Sequence, residues 1–183
     1  MSKVIVFLAN GFEEIEGLTV VDLLRRADIT VETVSISDSF TVTGAHNISV
    51  LADTLISDAA LSDGDMVVLP GGMPGTLHLA NCKQVTDTVT EYFKTGKRVA
   101  AICAAPSILG DLGILKGKIA CCYPGFEDRL TEAAVTGNEV EQDGTVTTSQ
   151  GVGTAIPFAL SLIEQLKDKN TADTIKKSIM FKH

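Results

Sequence analysis

The stretch Ala100-Ala101-Ile102-Cys103-Ala104-Ala105-Pro106 runs from an apolar segment through one cysteine straight into a helix start. That is the layout of a nucleophile elbow, a sharp strand-to-helix turn that holds one side chain up and out. Such a turn needs small neighbours, and Ala101, Ala104 and Ala105 supply them. Partial positive charge at a helix N-terminus favours thiolate, so the layout predicts a Cys103 pKa below the free-thiol value of about 8.5. A buried, inert cysteine would fit the same layout and is the commoner fate of the residue. A second segment, Leu69-Pro70-Gly71-Gly72, ends another apolar run. Adjacent glycines let a backbone approach a ligand closely, and their N–H groups could join that of Ala104 in an oxyanion hole. Pro-Gly also marks ordinary turns. The third segment, Asn10 to Gly17, places Glu13, Glu14 and Glu16 within four residues at a helix start. They complement the helix dipole there. One of them, buried beside a cysteine, would be a general acid/base. Local sequence leaves open which one points inward.

These segments need elements to position them. Lys3–Ala9, Asp65–Leu69 and Arg98–Ile102 read as buried strands, and Thr30–Ile36 as a strand rich in β-branched residues. Val20, Val21, Leu24 and Ala27 make one helical face; Val85, Val89, Tyr92 and Phe93 make another within Lys83–Thr95, which Gly96 stops. Pro106 opens a helix. Ser39–Ala52 predicts a hairpin turning near Gly44, and Thr145–Ser149 a strand. Ile156, Ala159, Leu160 and Ile163 line a further helix, and Asn170–Lys177 a short final one. Alternating strands and helices predict an α/β sandwich with a mainly parallel sheet and, over residues 1–183, a single domain. Ligands of such sheets sit beyond the C-terminal strand ends, where all three segments fall.

Composition narrows the function classes. Fifteen Lys and Arg against 23 Asp and Glu give a net charge of −8. That argues against nucleic acid or an anionic membrane surface as partner. The six apolar residues Val4–Ala9 are shorter than a signal-peptide core (about 7–15) or a membrane span (about 20). A cytoplasmic address is expected. Cys82, Cys103, Cys121 and Cys122 form no CxxC pair, and with the three histidines they show no zinc spacing, so no metal is expected. Cys121 and Cys122 read as packing residues on opposite faces of a strand. Cys82 sits near a helix start, in a surface or half-buried role.

FLANGFEEIE (7–16), VVLPGGMPG (67–75), AAICAAPSIL (100–109), YPGFE (123–127) and TSQGVGTAIPFAL (148–160) occur in that order. With them the whole chain resembles the ThiJ/PfpI superfamily, in the branch of the parkinsonism-associated deglycase DJ-one and its bacterial relatives. The resemblance implies a flavodoxin-like three-layer sandwich and a homodimer with the first helix near the partner, where Arg25 and Arg26 would lie. It implies that Cys103 is the nucleophile and Glu16 a buried, protonated partner of its sulfur. Gly72 and Ala104 would be backbone donors to an oxyanion, with Gly71, Tyr123 and Gln150 as pocket residues. Glu13 and Glu14 are left to surface and helix-start electrostatics. The implied activity is cofactor-independent and metal-free work on a small reactive carbonyl: methylglyoxal to lactate, or release of early glycation adducts. A non-enzymatic redox sensor or chaperone acting through Cys103 oxidation is the alternative. An amidase or peptidase is a weaker third, because Ala104 stands where protease-like relatives carry His. Tyr123 precedes Pro124 where some relatives have His, and Gln150 and Val152 replace a usual Arg and Pro. Whether His46, His78 or His183 assists is left open by the sequence, with His78 the first candidate of the three.

Overall fold

The computed structural model describes residues 2–182. Its strands are β1 (Lys3–Leu8), β2 (Thr30–Ser35), β3 (Thr41–Thr43), β4 (Ser49–Leu51), β5 (Thr54–Leu55), β6 (Met66–Leu69), β7 (Arg98–Ile102), β8 (Ile119–Ala120), β9 (Ala134–Val135), β10 (Val140–Asp143) and β11 (Val146–Ser149). Its helices are α1 (Glu14–Arg26), α2 (Gly75–Asn81), α3 (Lys83–Lys94), α4 (Pro106–Asp111), α5 (Ala155–Leu166) and α6 (Lys169–Ser178). Seven strands form the central sheet in the order β10-β11-β7-β6-β1-β2-β5. All neighbours are parallel except the edge pair β10–β11. Counted along the chain, the five inner strands run 2-1-3-4-5, the flavodoxin-like order. The order reverses between β1 and β6, so the switch-point crevice opens where the Asn10–Gly17 and Pro70–Gly72 segments leave the sheet.

The continuous apolar runs follow from burial on both faces. Val4, Val6 and Leu8 of β1 pack with Met66, Val68, Ala100 and Ile102 against Val20 and Leu24 of α1 and Phe158, Leu162 and Ile163 of α5. The alternate residues Ile5, Phe7, Val67, Leu69, Val99 and Ala101 face Leu79, Val85, Val89, Tyr92 and Ile108 of α2, α3 and α4. A period of two along the strands thus makes three layers.

Several expectations shift. The predicted hairpin is present as the antiparallel pair β3–β4. Residues 75–81 form helix α2, with only Gly75, Thr76 and Leu79 buried, so the apolar stripe is too thin to read. The α5 face is rotated. Phe158 and Leu162 are buried with Ala159 and Ile163, while Ile156 and Leu160 pack at its margin. Cys121 and Cys122 lie just beyond the short β8, not within a strand, and both are buried. Cys121 N–H donates to Thr148 Oγ1 at 2.9 Å, while Cys122 joins the α2–α4 side of the core. Cys82, between α2 and α3, is half-buried against that same core. Arg25 is engaged within the chain, with Asp53 and the Val31 carbonyl, and Arg26 pairs with Asp22. No helix among the described residues is long and apolar enough to cross a membrane.

Candidate active site

β7 ends at Ile102 and α4 starts at Pro106, leaving three residues to turn the chain. Cys103 takes the left-handed conformation at φ +66°. A side chain there costs of order 1–3 kcal/mol. Neighbouring bonds hold it: Cys103 N–H donates to the Ser149 carbonyl (3.0 Å), and its own carbonyl accepts from Tyr123 N–H (2.8 Å). Ser107 Oγ donates to the Ala104 carbonyl at 2.7 Å. The elbow expected from the sequence is therefore formed, with the sulfur raised into the crevice.

Glu16 answers the question left open above. It is completely buried. It shares the stripe of Val20 and Leu24, at i+4 and i+8, so the helical period already carried the signal. Gly71 N–H donates to Glu16 Oε2 at 2.9 Å, while Oε1 has no hydrogen-bond partner. Gly71 consequently holds Glu16 and does not line the cavity. A methyl group on Gly71 would come within 2.5 Å of Cys103 Cβ and 2.6 Å of Glu16 Oε2. Gly71→Ala should therefore wedge the pair apart and cost about 1–3 kcal/mol of stability. A lowered thermal midpoint together with a changed Cys103 alkylation rate would show this; an unchanged rate would refute the wedge. Gly72 sits at φ +91°, where a Cβ would run into the Phe12–Glu13 backbone.

The electrostatics reverse one expectation. Burial pushes the Cys103 thiol up to about 12, and the Glu16 charge and hydrogen bond add to it. The N–H groups of Gly72 and Ala104 act on the sulfur in the opposite sense. The helix N-terminus does not win, because α4 has only six residues and desolvation of the half-buried sulfur is the largest effect on it. Burial likewise raises Glu16 from an ordinary 4.5 to about 7, with the Cys103 and Gly71 hydrogen bonds opposing. Two of the three causes that raise the thiol are Glu16's own. When the proton sits on the carboxyl, the repulsion vanishes and the sulfur still faces two N–H donors. Cys103 and Glu16 therefore titrate as one coupled pair.

The pair opens into a cavity of about 560 Å³ at the switch point. Tyr123, Gln150, Gly72 and Ala104 line it. Met73, Phe126, Val152 and Thr154 also line it, from loops whose approach no local pattern announces. So does Glu13, contrary to its assignment to the surface. Glu14 is also not a surface group, with 4% exposure. The β3–β4 hairpin folds over it: Oε1 accepts His46 N–H (2.8 Å) and Oε2 meets His46 Nδ1 (2.9 Å). A side chain at Gly44 would collide with the Glu14 carboxyl. Burial works to raise the Glu14 pKa, but the bonds from His46 and Ile48 override it and hold it below 4.5. Ligating atoms of Glu13, Glu14 and His46 lie within 4.8 Å of one another. With Glu14 already satisfied by these bonds, they form an ion-pair cluster. His78 lies on α2 and bonds the Asn10 carbonyl (2.8 Å), outside the cavity lining. His183 lies outside the described residues.

A flavodoxin-like sheet with an elbow cysteine facing a buried glutamate defines the class. The DJ-1/PfpI family model matches residues 2–165, and the chain belongs to that family. It is 39% identical over 182 residues to Protein DJ-1 homolog A of Arabidopsis thaliana, covering 98% of this chain but 46% of that protein. The chain thus spans about half the length of that relative. It is 30% identical over 181 residues to the Glutathione-independent glyoxalase DJR-1.2 of Caenorhabditis elegans, covering 97% and 95% of the two chains. The solved structure of oxidized DJ-1 from Toxoplasma gondii superposes with a TM-score of 0.95 at 35% identity, covering both chains fully.

Proposed function

We propose that this protein is a cysteine-dependent, cofactor-independent enzyme that converts 2-oxoaldehydes such as methylglyoxal to 2-hydroxy acids. The observation that carries this reading is the buried Glu16 carboxyl, raised to about 7, held against the elbow sulfur of Cys103. A group poised there can give and take a proton near neutral pH. The Cys103 thiol passes its proton to Glu16 as the sulfur adds to the aldehyde carbon. The new alkoxide faces the N–H groups of Gly72 and Ala104 and receives that proton, giving a hemithioacetal. Glu16 then removes the C1 proton to form an enediol and returns it to C2, leaving a thioester. Water cleaves the thioester to lactate and restores the thiol. The sum is methylglyoxal plus water to lactate, with no external oxidant or reductant. The C. elegans relative's name supports carbonyl chemistry in the family. Release of early glycation adducts would use the same groups. Purified protein should consume methylglyoxal and form lactate without glutathione; no turnover at micromolar enzyme would refute the reading.

Oxidation of Cys103 in a sensor role competes with this reading. Both roles draw on the thiolate, which burial disfavours; a carboxyl at about 7 beside the sulfur, able to take its proton as the new bond forms, is what favours the enzyme. The family also motivates a homodimer. Ile15 on α1 and Ile48 and Leu51 on the hairpin are exposed, and Ile15, Leu18 and Ile48 share one shallow groove. Sedimentation should return about twice the chain mass of 19.3 kDa; the single mass would exclude it.

A further inference from the structure

Two carboxylates line the cavity, and the mechanism above uses only Glu16. Glu13 is rigidly placed beside it. Its N–H donates to the Gly71 carbonyl at 2.9 Å, and its carbonyl accepts Gly17 N–H at 3.0 Å. Its side chain makes no capping bond to α1, although it precedes that helix. The side chain is only 12% exposed. Its Oε2 lies 3.5 Å from His46 Nδ1, and that nitrogen lies closer to Glu14, at 2.9 Å. One imidazole therefore faces two carboxylates and cannot neutralise both. Among the described residues that line the cavity, none is Lys, Arg or His. Gln150, which also lines it, carries an uncharged amide. The walls are otherwise apolar or neutral: Met73, Tyr123, Phe126 and Val152. A low-dielectric cleft lined by charge of one sign focuses its field on whatever enters.

We propose that Glu13 is a charge filter for this cavity, a specificity-determining carboxylate that admits neutral and cationic aldehydes to Cys103 and repels those bearing a carboxylate or phosphate. The substrate class rests on the carbonyl reading above; the filter itself concerns only access to the sulfur. One residue explains why the filter would be felt at the reaction centre. Gly71 binds Glu13 through its carbonyl and Glu16 through its N–H, so the filter and the acid/base group hang from one peptide turn.

Iodoacetamide and iodoacetate test this without any turnover, because they are close in size and differ by one negative charge. Each alkylates Cys103 by displacement of iodide, and peptide mapping separates this from reaction at Cys82. The rate ratio, amide over acid, is divided by that of 2-mercaptoethanol in the same buffer. The wild-type ratio should exceed the free thiol's by roughly tenfold or more and shrink as salt rises. Glu13→Gln should bring it to within about threefold of the free thiol, and Glu13→Asp should retain most of it. A wild-type ratio equal to that of the free thiol overturns the proposal. So does an elevated ratio that Glu13→Gln leaves unchanged, since the repulsion would then belong to Glu16. In parallel, phenylglyoxal and its para-carboxylate are offered as substrates. If neither is consumed while the alkylation ratios behave as expected, the carbonyl reading fails and the filter stands. If both are consumed equally well, the filter is overturned.

Discussion

Cys103→Ser should lower methylglyoxal consumption by about a thousandfold or more while leaving the fold intact. The substitution is nearly isosteric, and the left-handed backbone at φ +66° is held by bonds to Ser149 and Tyr123 that do not involve the sulfur. What changes is the nucleophile. A serine hydroxyl is a far weaker acid than a thiol, and Glu16 at about 7 cannot deprotonate it to a useful extent. Adding to the aldehyde would then require an alkoxide that the two N–H donors alone do not supply. Circular dichroism and the thermal midpoint serve as the fold control, and lactate formation as the readout. Wild-type rates in Cys103→Ser would remove the cysteine from the mechanism. The same variant addresses the sensor reading, which requires that after mild peroxide a gain of two oxygens map to Cys103 in the wild type and disappear in the variant.

The second large effect is expected at Glu16, in two measurements that move separately. Glu16→Gln keeps an oxygen to accept the Gly71 N–H but cannot exchange a proton. Activity should fall by about 10²–10⁴-fold. Stability should respond to pH with the opposite trend from an ordinary paired carboxylate. The folded-state pKa of Glu16, about 7, lies above its unfolded value of 4.5. Between those values the folded state binds more protons than the unfolded one. Stability therefore falls as pH rises from 4.5 through about 7, by about 3 kcal/mol in total. Glu16→Gln should abolish that decline and be more stable than wild type above pH 7. Denaturant midpoints measured at several pH values check this, and parallel wild-type and variant curves would refute it. Glu14, held low by His46 and Ile48, titrates below this window and is common to both proteins.

Much of the architecture was legible because it is written in short-range patterns. β1, β6 and β7 are unbroken apolar runs, since a strand covered on both faces has no polar side to show. α3 carries a full stripe in Val85, Val89 and Tyr92, whereas α2 carries little beyond Leu79 and shows no readable period. β8, β9 and β10 are short and partly exposed, so alternation over two to four residues is not distinctive. The burial of Glu14 depends on a hairpin more than 25 residues away pressing Gly44 and His46 against it.

From sequence alone came an elbow cysteine, a glycine pair and an acidic helix start, each following an apolar strand. Parallel strands gather their C-terminal ends at one edge, so these three segments had to meet. What only the tertiary structure decided is how they act on one another. It brought Glu16 beside Cys103, set Gly71 behind it as its anchor, and turned Glu13 into the cavity. It also reversed the sign of the thiol shift, from lowered to raised. Burial and the distance between charges are through-space quantities, and no spacing along the chain encodes them.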